Sequence, residues 1–349
     1  MKSTRILAAA LLLSLTGAAP IVTTIPGSQI VRTAPALDRL IDAHAPIQKL
    51  GGGMQWSEGP VWIADGQYVL LSDVPGNRIH KWSARDGFSV WMEPAGGNGP
   101  AKPGFREPGT NGLKPGGSGE ILAADHGSRA VVAINLATKA KRILADRFNG
   151  KRFNSPNDVV VTADGAIWFT DPPYGLEGIN DSPLKEQPVN GVYRLAPDGS
   201  ISLAVPDLTF PNGLALSPDG KTLYVAVSDP KRAIIMAYDV NGATVSRARV
   251  FSDMTKLVAQ GLPGLPDGMT VDQHGNIFAT GPGGVHVFAP SGKELGRIST
   301  GKATANVTFG GPDGHTLFMT SSDMLASVRT KTRGTPAHRP TFFSRGERG

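Results

Sequence analysis

Cysteine is absent from the 349 residues of this chain. Disulfide bonds, a thiolate nucleophile and a cysteine-ligated zinc site are therefore excluded. Charged residues make up only 18% of the sequence, aromatic residues 7%, and the formal net charge is +6. The basic residues are scattered apart from a C-terminal tail, which has no interleaved aromatic rings, so the composition does not favour a nucleic-acid partner. Stability must come from packing, and any catalysis must use oxygen and nitrogen side chains.

Long hydrophobic runs are also scarce, and the longest lies at the N-terminus. Lys2 and Arg5 precede the apolar run Ile6–Leu15, and the small residues Gly17–Ala19 follow it. This order is typical of a secretory signal peptide, and the run is too short to span a bilayer. We expect residues 1–19 to be removed, leaving a periplasmic or secreted protein without a membrane anchor. An ordinary buried N-terminal helix is the alternative.

One sequence pattern recurs along the chain, and its clearest copy runs from Phe210 to Ala226. Asn212 opens an apolar strand, Asp219-Gly220 forms a hairpin turn, and a second strand returns. Two more apolar segments follow in nearly every copy, which predicts one four-stranded sheet per repeat. The polar residues that open the six copies are roughly 40 to 55 residues apart, and they are Glu58, Asn111, Asn157, Asn212, Asp267 and Asn306.

Six such sheets, joined by turns rich in glycine and proline, predict an all-β protein, a six-bladed β-propeller with four-stranded blades. The segment Pro46–Leu50 has the pattern of a fourth strand without preceding partners. We therefore predict that it completes the last blade, so that pairing of N- and C-terminal segments closes the ring over residues 46–330. Residues 20–45 are predicted as a lead-in with a possible helical turn at Leu37–Ala43, and residues 331–349 as a solvated basic tail.

The innermost strand of each propeller blade lines the central channel, so the six polar residues are predicted to converge at one mouth. Carboxylates and carboxamides together form a set of hard oxygen ligands suited to a divalent cation such as Ca²⁺. An Asn or Asp before glycine could instead be a turn residue that bonds its own backbone. The recurrence of the polar position in all six copies favours the metal site. The long segments Glu93–Thr110 and Pro172–Pro188 are predicted to form a rim at the same mouth.

Five segments resemble the gluconolactonase/regucalcin family of sugar lactonases, also called the senescence marker protein and luciferin-regenerating enzyme family. They are Ser57–Trp62, Phe153–Val160, Trp168–Leu176, Phe210–Leu214 and Pro266–Met269. The resemblance extends from about Gly51 to Ser322. It implies a six-bladed propeller with a divalent metal on its axis, and it implies that Asp158 contacts metal-bound water or substrate. The ligands that it implies are Glu58, Asn157, Asn212 and Asp267.

Lactone hydrolysis requires a polarised carbonyl, a delivered water and stabilisation of negative charge, and a cation with an open position can supply the first and the third. The candidates for the general base are Asp267 and Asp158, in that order. A Ser-His-Asp mechanism is disfavoured because the sequence has no Gly-x-Ser-x-Gly elbow between a strand and a helix. His126 could shuttle a proton or be structural, and Arg129 could be a surface residue at a strand end. The candidates for substrate binding are Asn111, His126, Arg129 and Tyr174.

The predicted function is a metal-dependent hydrolase that opens a sugar-derived lactone, in the manner of a gluconolactonase. Its predicted partners are a small-molecule lactone and one divalent ion, calcium, with zinc, magnesium or manganese as alternatives. The alternatives to this function are hydrolysis of organophosphates or other esters at the same site, and a non-catalytic propeller that binds a ligand. The sequence leaves the oligomeric state open.

Overall fold

The computed structural model describes residues 22–99 and 102–340. The predicted signal peptide and the last nine residues of the predicted tail lie outside the described residues. Six antiparallel sheets dominate the fold, and their innermost strands contact one another in sequence order around a ring. The prediction of a six-bladed β-propeller is confirmed. Among the described helices, none is long and apolar enough to cross a membrane.

Each blade runs outward from the channel through four strands. Blade 1 contains Ser57–Ile63, Tyr68–Asp73, Arg78–Ser83 and Gly87–Met92. Blade 2 contains Thr110–Pro115, Glu120–Asp125, Ala130–Asn135 and Lys141–Ala145. Blade 3 contains Val159–Val161, Ile167–Asp171, Gly191–Leu195 and Ile201–Val205. Blade 4 contains Pro211–Leu216, Thr222–Asp229, Arg232–Asn241 and Thr244–Asp253. Blade 5 contains Met269–Val271, Ile277–Gly281, Gly284–Phe288 and Glu294–Ser299. Blade 6 contains Thr304–Gly310, Thr316–Ser321, Met324–Arg329 and Gln48–Gly52. A small hairpin, Arg147–Phe148 with Lys151–Arg152, and three short helices, Pro35–Arg39, Ile179–Asp181 and Thr255–Ala259, lie outside the blades.

The hydrophobic core is divided into layers between neighbouring blades. Successive strand residues point to opposite faces of a sheet, so each blade packs against the blade before it and the blade after it. The strand Ala130–Asn135 illustrates this, because Val132 packs toward blade 1 while Val131 packs toward blade 3. Both residues are fully buried. A strand that is buried on both faces reads as a continuous apolar run, as the third strands of blades 2 and 4 do in the sequence.

The ring closes in blade 6, where Gln48–Gly52 pairs antiparallel with Met324–Arg329. The predicted closure by N- and C-terminal segments is thus confirmed. The lead-in contributes more than predicted, since Gln29–Arg32 adds a fifth strand to blade 5 and Thr23–Thr24 adds one to blade 6. After these two strands, the helix Pro35–Arg39 buries Leu37 in the core of blades 5 and 6. The structure therefore attaches residues before 46 to the propeller.

The C-terminal segment after the last strand is also bound to the propeller. Asp272 is fully buried at the turn of blade 5, and its carboxylate accepts hydrogen bonds from His274 and Asn276 in the same turn. Thr332 Oγ1 donates to Asp272 Oδ2 at 2.9 Å, and the Thr335 N–H donates to the backbone of the same blade. A buried carboxylate requires donors, and the segment supplies one of them. Residues 331–335 are therefore part of the fold, in contrast to the predicted solvated tail.

We expect Thr332→Val to lower the free energy of unfolding by about 1–3 kcal/mol, because buried Asp272 loses a hydrogen-bond donor. Denaturant titration followed by circular dichroism would measure the difference. Thr33→Val is the matched control, since Thr33 is exposed and its hydroxyl makes a single weak hydrogen bond, to Glu294 O at 3.4 Å. A Thr332→Val protein as stable as the control would show that this segment does not contribute to the fold.

Candidate active site

The six polar residues open the innermost strands at one end of the channel, and glycine follows four of them. The reason is the close approach of neighbouring blades. A Cβ atom on Gly59 would lie 2.1 Å from Asn111 O, and one on Gly213 would lie 2.4 Å from Asp267 O. Both distances are too short for any side chain. The Asn-Gly and Asp-Gly pairs at the channel are therefore contacts between blades and not turn residues. The same approach occurs at Gly112 and Gly268.

Hydroxyl groups of the second strands fix the backbone that carries these residues. Ser72 Oγ donates to Asn111 O at 2.8 Å, and Thr170 Oγ1 donates to Asn212 O at 2.7 Å. Each bond runs from one blade to the next, and Thr280 makes the equivalent bond to blade 6. The polar side chains thus project from backbone that two blades hold in place, which favours a preorganised site.

Three carboxylates from different blades lie close together at this end of the channel. Glu58 and Asp158 are buried, and Asp267 is half-buried. Burial raises the pKa of Asp267 well above its usual range, and the charges of Glu58 and Asp158 raise it further. Burial likewise raises the pKa of Glu58 to about 7, with a contribution from Asp158. The site therefore brings carboxylates together in surroundings that disfavour their ionisation when no cation is bound.

Asn306 orients the Glu58 carboxylate. Its Nδ2 donates to Glu58 Oε2 at 3.3 Å, while its own Oδ1 accepts the N–H of Val307 at 2.9 Å. Glu58 Oε2 also accepts the N–H of Gly59, and Trp56 Nε1 lies 3.4 Å from Oε1. Both ends of the Asn306 amide are occupied, so this residue supports Glu58 and offers no free oxygen.

Asn157, Asn212 and Asp267 do offer free oxygens within the described structure. Asn212 donates through Nδ2 to Ser228 Oγ at 3.0 Å, which leaves Oδ1 unpaired. The Asn157 side chain makes no hydrogen bond with any described residue, and buried Asp267 Oδ1 has no partner. Unpaired carboxamide and carboxylate oxygens fit the ligand preferences of a hard divalent cation. No group of three or more His, Cys, Asp and Glu side chains in residues 22–99 and 102–340 could hold a metal ion, so the carboxamides would have to take part.

Asp158 directly follows the polar residue of blade 3, at the position that glycine occupies in blades 1, 2, 4 and 5. Both of its carboxylate oxygens accept hydrogen bonds. Oδ1 accepts the N–H of Val159 at 2.9 Å, and Oδ2 accepts the N–H of Leu214 in blade 4 at 3.2 Å. Burial raises its pKa, and the charge of Lys114 counteracts part of that rise. Asp158 therefore ties blade 3 to blade 4, and it is less available as a base than Asp267.

The two long segments predicted as a rim pair with each other. Phe105 and Leu176 form an isolated bridge, and the Arg106 N–H donates to Gly175 O at 2.9 Å. The pairing brings Tyr174 close to Asp267, whose charge adds to burial in raising the pKa of the phenol. It also brings Glu107 there, a residue that sequence reasoning missed. The length of its loop was the only signal in the sequence.

Tyr174 forms an aromatic wall with Phe210. The two rings stack with centroids 5.8 Å apart and planes at 17°. Phe210 directly precedes the strand that carries Asn212. Asn111, the remaining substrate-binding candidate on the inner strands, is buried, and its backbone carbonyl lies against Gly59 and accepts a hydrogen bond from Ser72 Oγ.

His126 and Arg129 brace the rim. His126 is fully buried with Nδ1 3.1 Å from Glu107 O, and because a carbonyl oxygen only accepts, Nδ1 must carry the proton. Burial lowers the pKa of His126 to about 4, so the ring is neutral. Arg129 Nε donates to Phe153 O at 2.7 Å, and Nη1 lies 3.3 Å from Glu186 Oε1. These contacts give Arg129 a structural role, and none of them brings it to the carboxylates.

A cavity of about 730 Å³ opens at the other end of the channel. The far ends of the innermost strands line it, including Ile63, Leu216 and Val271, together with the C-terminal segment. None of the six polar residues contributes to this lining. The chemistry of the site therefore belongs to the mouth at which the innermost strands begin.

Comparisons with known proteins bear on this site. The model of the SMP-30/Gluconolactonase/LRE-like region family matches residues 56–323. A gluconolactonase from Zymomonas mobilis is 45% identical over 311 residues, which cover 88% of this chain and 87% of that protein. The solved structure of a gluconolactonase from Xanthomonas campestris is 32% identical with a TM-score of 0.76, covering 90% of this chain and 99% of that chain. The solved structure of regucalcin from Agrobacterium tumefaciens, a calcium-binding protein, is 20% identical with a TM-score of 0.66 and covers 85% of this chain and 97% of that chain. This similarity shows a shared fold.

We expect His126 to make stability depend on pH between about 6.5 and 4. In this window the unfolded chain binds a proton that the folded chain does not, so stability falls as pH decreases, by up to about 3 kcal/mol. Above about pH 6.5 the imidazole is neutral in both the folded and the unfolded chain, so His126 adds no pH dependence to stability there. The measurement is the difference in unfolding free energy between the wild type and His126→Asn, which does not titrate. Parallel stability curves for the two proteins across the window would contradict the expectation.

Proposed function

Because the chain belongs to the SMP-30/gluconolactonase/LRE-like family, we propose that it is a lactonase that opens a sugar-derived lactone with a bound divalent cation. The observation that carries the proposal is the set of unpaired oxygens on Asn157, Asn212 and Asp267, beside the buried Glu58. Relatives named gluconolactonase and pentonolactonase support the choice of substrate class.

Glu58, Asn157, Asn212 and Asp267 would hold the cation. When bound, it supplies Lewis-acid polarisation of the lactone carbonyl and stabilises negative charge on the carbonyl oxygen. Oxygen-only ligands favour calcium, with magnesium, manganese or zinc as alternatives. Asn306 contributes indirectly, because its hydrogen bond fixes the orientation of the Glu58 carboxylate.

Asp267 is the proposed general base. One of its oxygens is unpaired, whereas both oxygens of Asp158 accept backbone N–H groups. Asp267 takes a proton from the attacking water as the water oxygen bonds to the carbonyl carbon. The ring C–O bond then breaks, and the same carboxyl group returns the proton to the departing ring oxygen. The product is the open-chain hydroxy acid.

We also propose that the mature protein is periplasmic or secreted. The charged start, apolar run and small residues of positions 1–19 support this location. It would place the enzyme where sugar lactones outside the cytoplasm are accessible.

We expect exhaustive chelation to abolish opening of D-glucono-1,5-lactone and calcium to restore it, because the carbonyl loses its polarising group. Acid release at constant pH measures the reaction after subtraction of spontaneous hydrolysis. A panel of aldonolactones, simple esters and an organophosphate, each with several divalent ions, would identify substrate and metal. Undiminished lactonase activity in metal-free, folded protein would refute metal dependence, and turnover of the organophosphate alone would favour the alternative ester substrate.

We expect Asp267→Asn to lower kcat about 10²- to 10⁴-fold at saturating metal, because the variant cannot accept the proton from water. Calorimetric titration of the metal separates weaker binding from lost catalysis. Asp219→Asn is the matched control, since Asp219 lies in the exposed hairpin turn of blade 4. Wild-type kcat in a metal-loaded Asp267→Asn protein would exclude Asp267 as the base.

A further inference from the structure

Three side chains at the mouth present oxygens that no donor among the described residues satisfies. Glu107 is bound by Arg106 through Oε1, and its Oε2 makes no hydrogen bond. Tyr174 Oη and Asp267 Oδ1 are buried atoms without partners. The nearby Ser228 hydroxyl donates instead to Pro266 O. Buried polar atoms are normally paired, so Tyr174 Oη points to a ligand that bonds it, and Glu107 Oε2 beside it is an acceptor free for the same ligand.

These three residues lie in one group. Tyr174 is adjacent to Gly175, whose carbonyl oxygen accepts the N–H of Glu107 at 3.3 Å. Burial raises the pKa of the Tyr174 phenol, and the charges of Asp267 and Glu107 add to that rise. Asp267 in turn is influenced by the charge of Glu107. The group therefore extends from the proposed base outward to the rim.

The backbone of Glu107 is held in place by buried His126. His126 donates through Nδ1 to Glu107 O, and the imidazole packs so closely on Gly175 that a Cβ there would lie 2.8 Å from it. The Glu107 side chain is 17% exposed, whereas that of its partner Arg106 is 47% exposed. An exposed ion pair alone contributes little to stability, so pairing with Arg106 does not account for a carboxylate held in this position.

Glu107 Oε2 is an acceptor, and Tyr174 adds a hydroxyl that both donates and accepts, whereas the unpaired oxygen of Asp267 is assigned to the cation and the attacking water. An unsubstituted lactone has no hydroxyl groups to donate to them, whereas a sugar lactone has several. We propose that Glu107 is a specificity-determining residue that accepts a hydrogen bond from a ring hydroxyl of the substrate, with Tyr174 beside it. The site then selects polyhydroxylated lactones over unsubstituted ones. This inference rests on the proposed lactonase function.

The test compares Glu107→Gln with the wild type on D-glucono-1,5-lactone and on δ-valerolactone, which has the same ring without hydroxyl groups. We expect the variant to lose about tenfold or more in kcat/KM for the sugar lactone, mainly through KM, and to keep δ-valerolactone hydrolysis within about twofold. Glu177→Gln is the matched control, because Glu177 lies on the same pair of loops and is exposed. It should behave as the wild type with both substrates.

Equal losses on the two lactones, or no loss on either, would overturn the inference while leaving the proposed function standing. A wild-type protein that opens neither lactone with any divalent ion would overturn the proposed function itself. Glu107→Asp keeps the charge and serves if Glu107→Gln does not fold. Glu107→Asp should retain part of the preference for the sugar lactone. The inference would also be overturned if every folded Glu107 variant kept both the full wild-type preference and the wild-type KM.

Discussion

The close approach of neighbouring blades at the channel mouth is the constraint on which the rest of the structure depends. At Gly59 and Gly213 the next blade lies so near that even a methyl group would collide with its backbone. The inner strands can meet only because these positions lack a side chain. Their meeting places the polar residue of each blade beside that of the next, and Ser72 and Thr170 fix the arrangement by hydrogen bonds between blades.

The same geometry creates an electrostatic problem that a cation can resolve. Glu58, Asp158 and Asp267 are crowded together, and burial raises the pKa of each. Asp158 is stabilised by two backbone N–H groups, whereas Asp267 retains an unpaired oxygen. Folding has therefore placed unsatisfied oxygen ligands in one location, which is the condition that a metal centre requires.

The sequence predicts the propeller, its closure and the family, and all three are confirmed, because turn chemistry and alternation of apolar residues are local signals that repeat six times. The polar positions could be recognised for the same reason, although their roles as ligands stay predictions. Glu107 could not be found in this way, since its loop reaches the site only by pairing with the loop around Gly175. The strand Gln29–Arg32 was missed similarly, because its partner Glu294–Ser299 is distant in sequence.

Closure of the ring in blade 6 also sets the order in which the protein can form. Gln48–Gly52 is synthesised before every strand of blades 1 to 5, but Met324–Arg329, the strand with which it pairs, is synthesised after all of them. Domains are synthesised from the N-terminus, and contacts between distant segments form slowly. One face of blade 1 therefore stays uncovered until blade 6, against which it packs, has been synthesised. The contact that closes the ring is thus the pairing of two strands that are far apart in sequence.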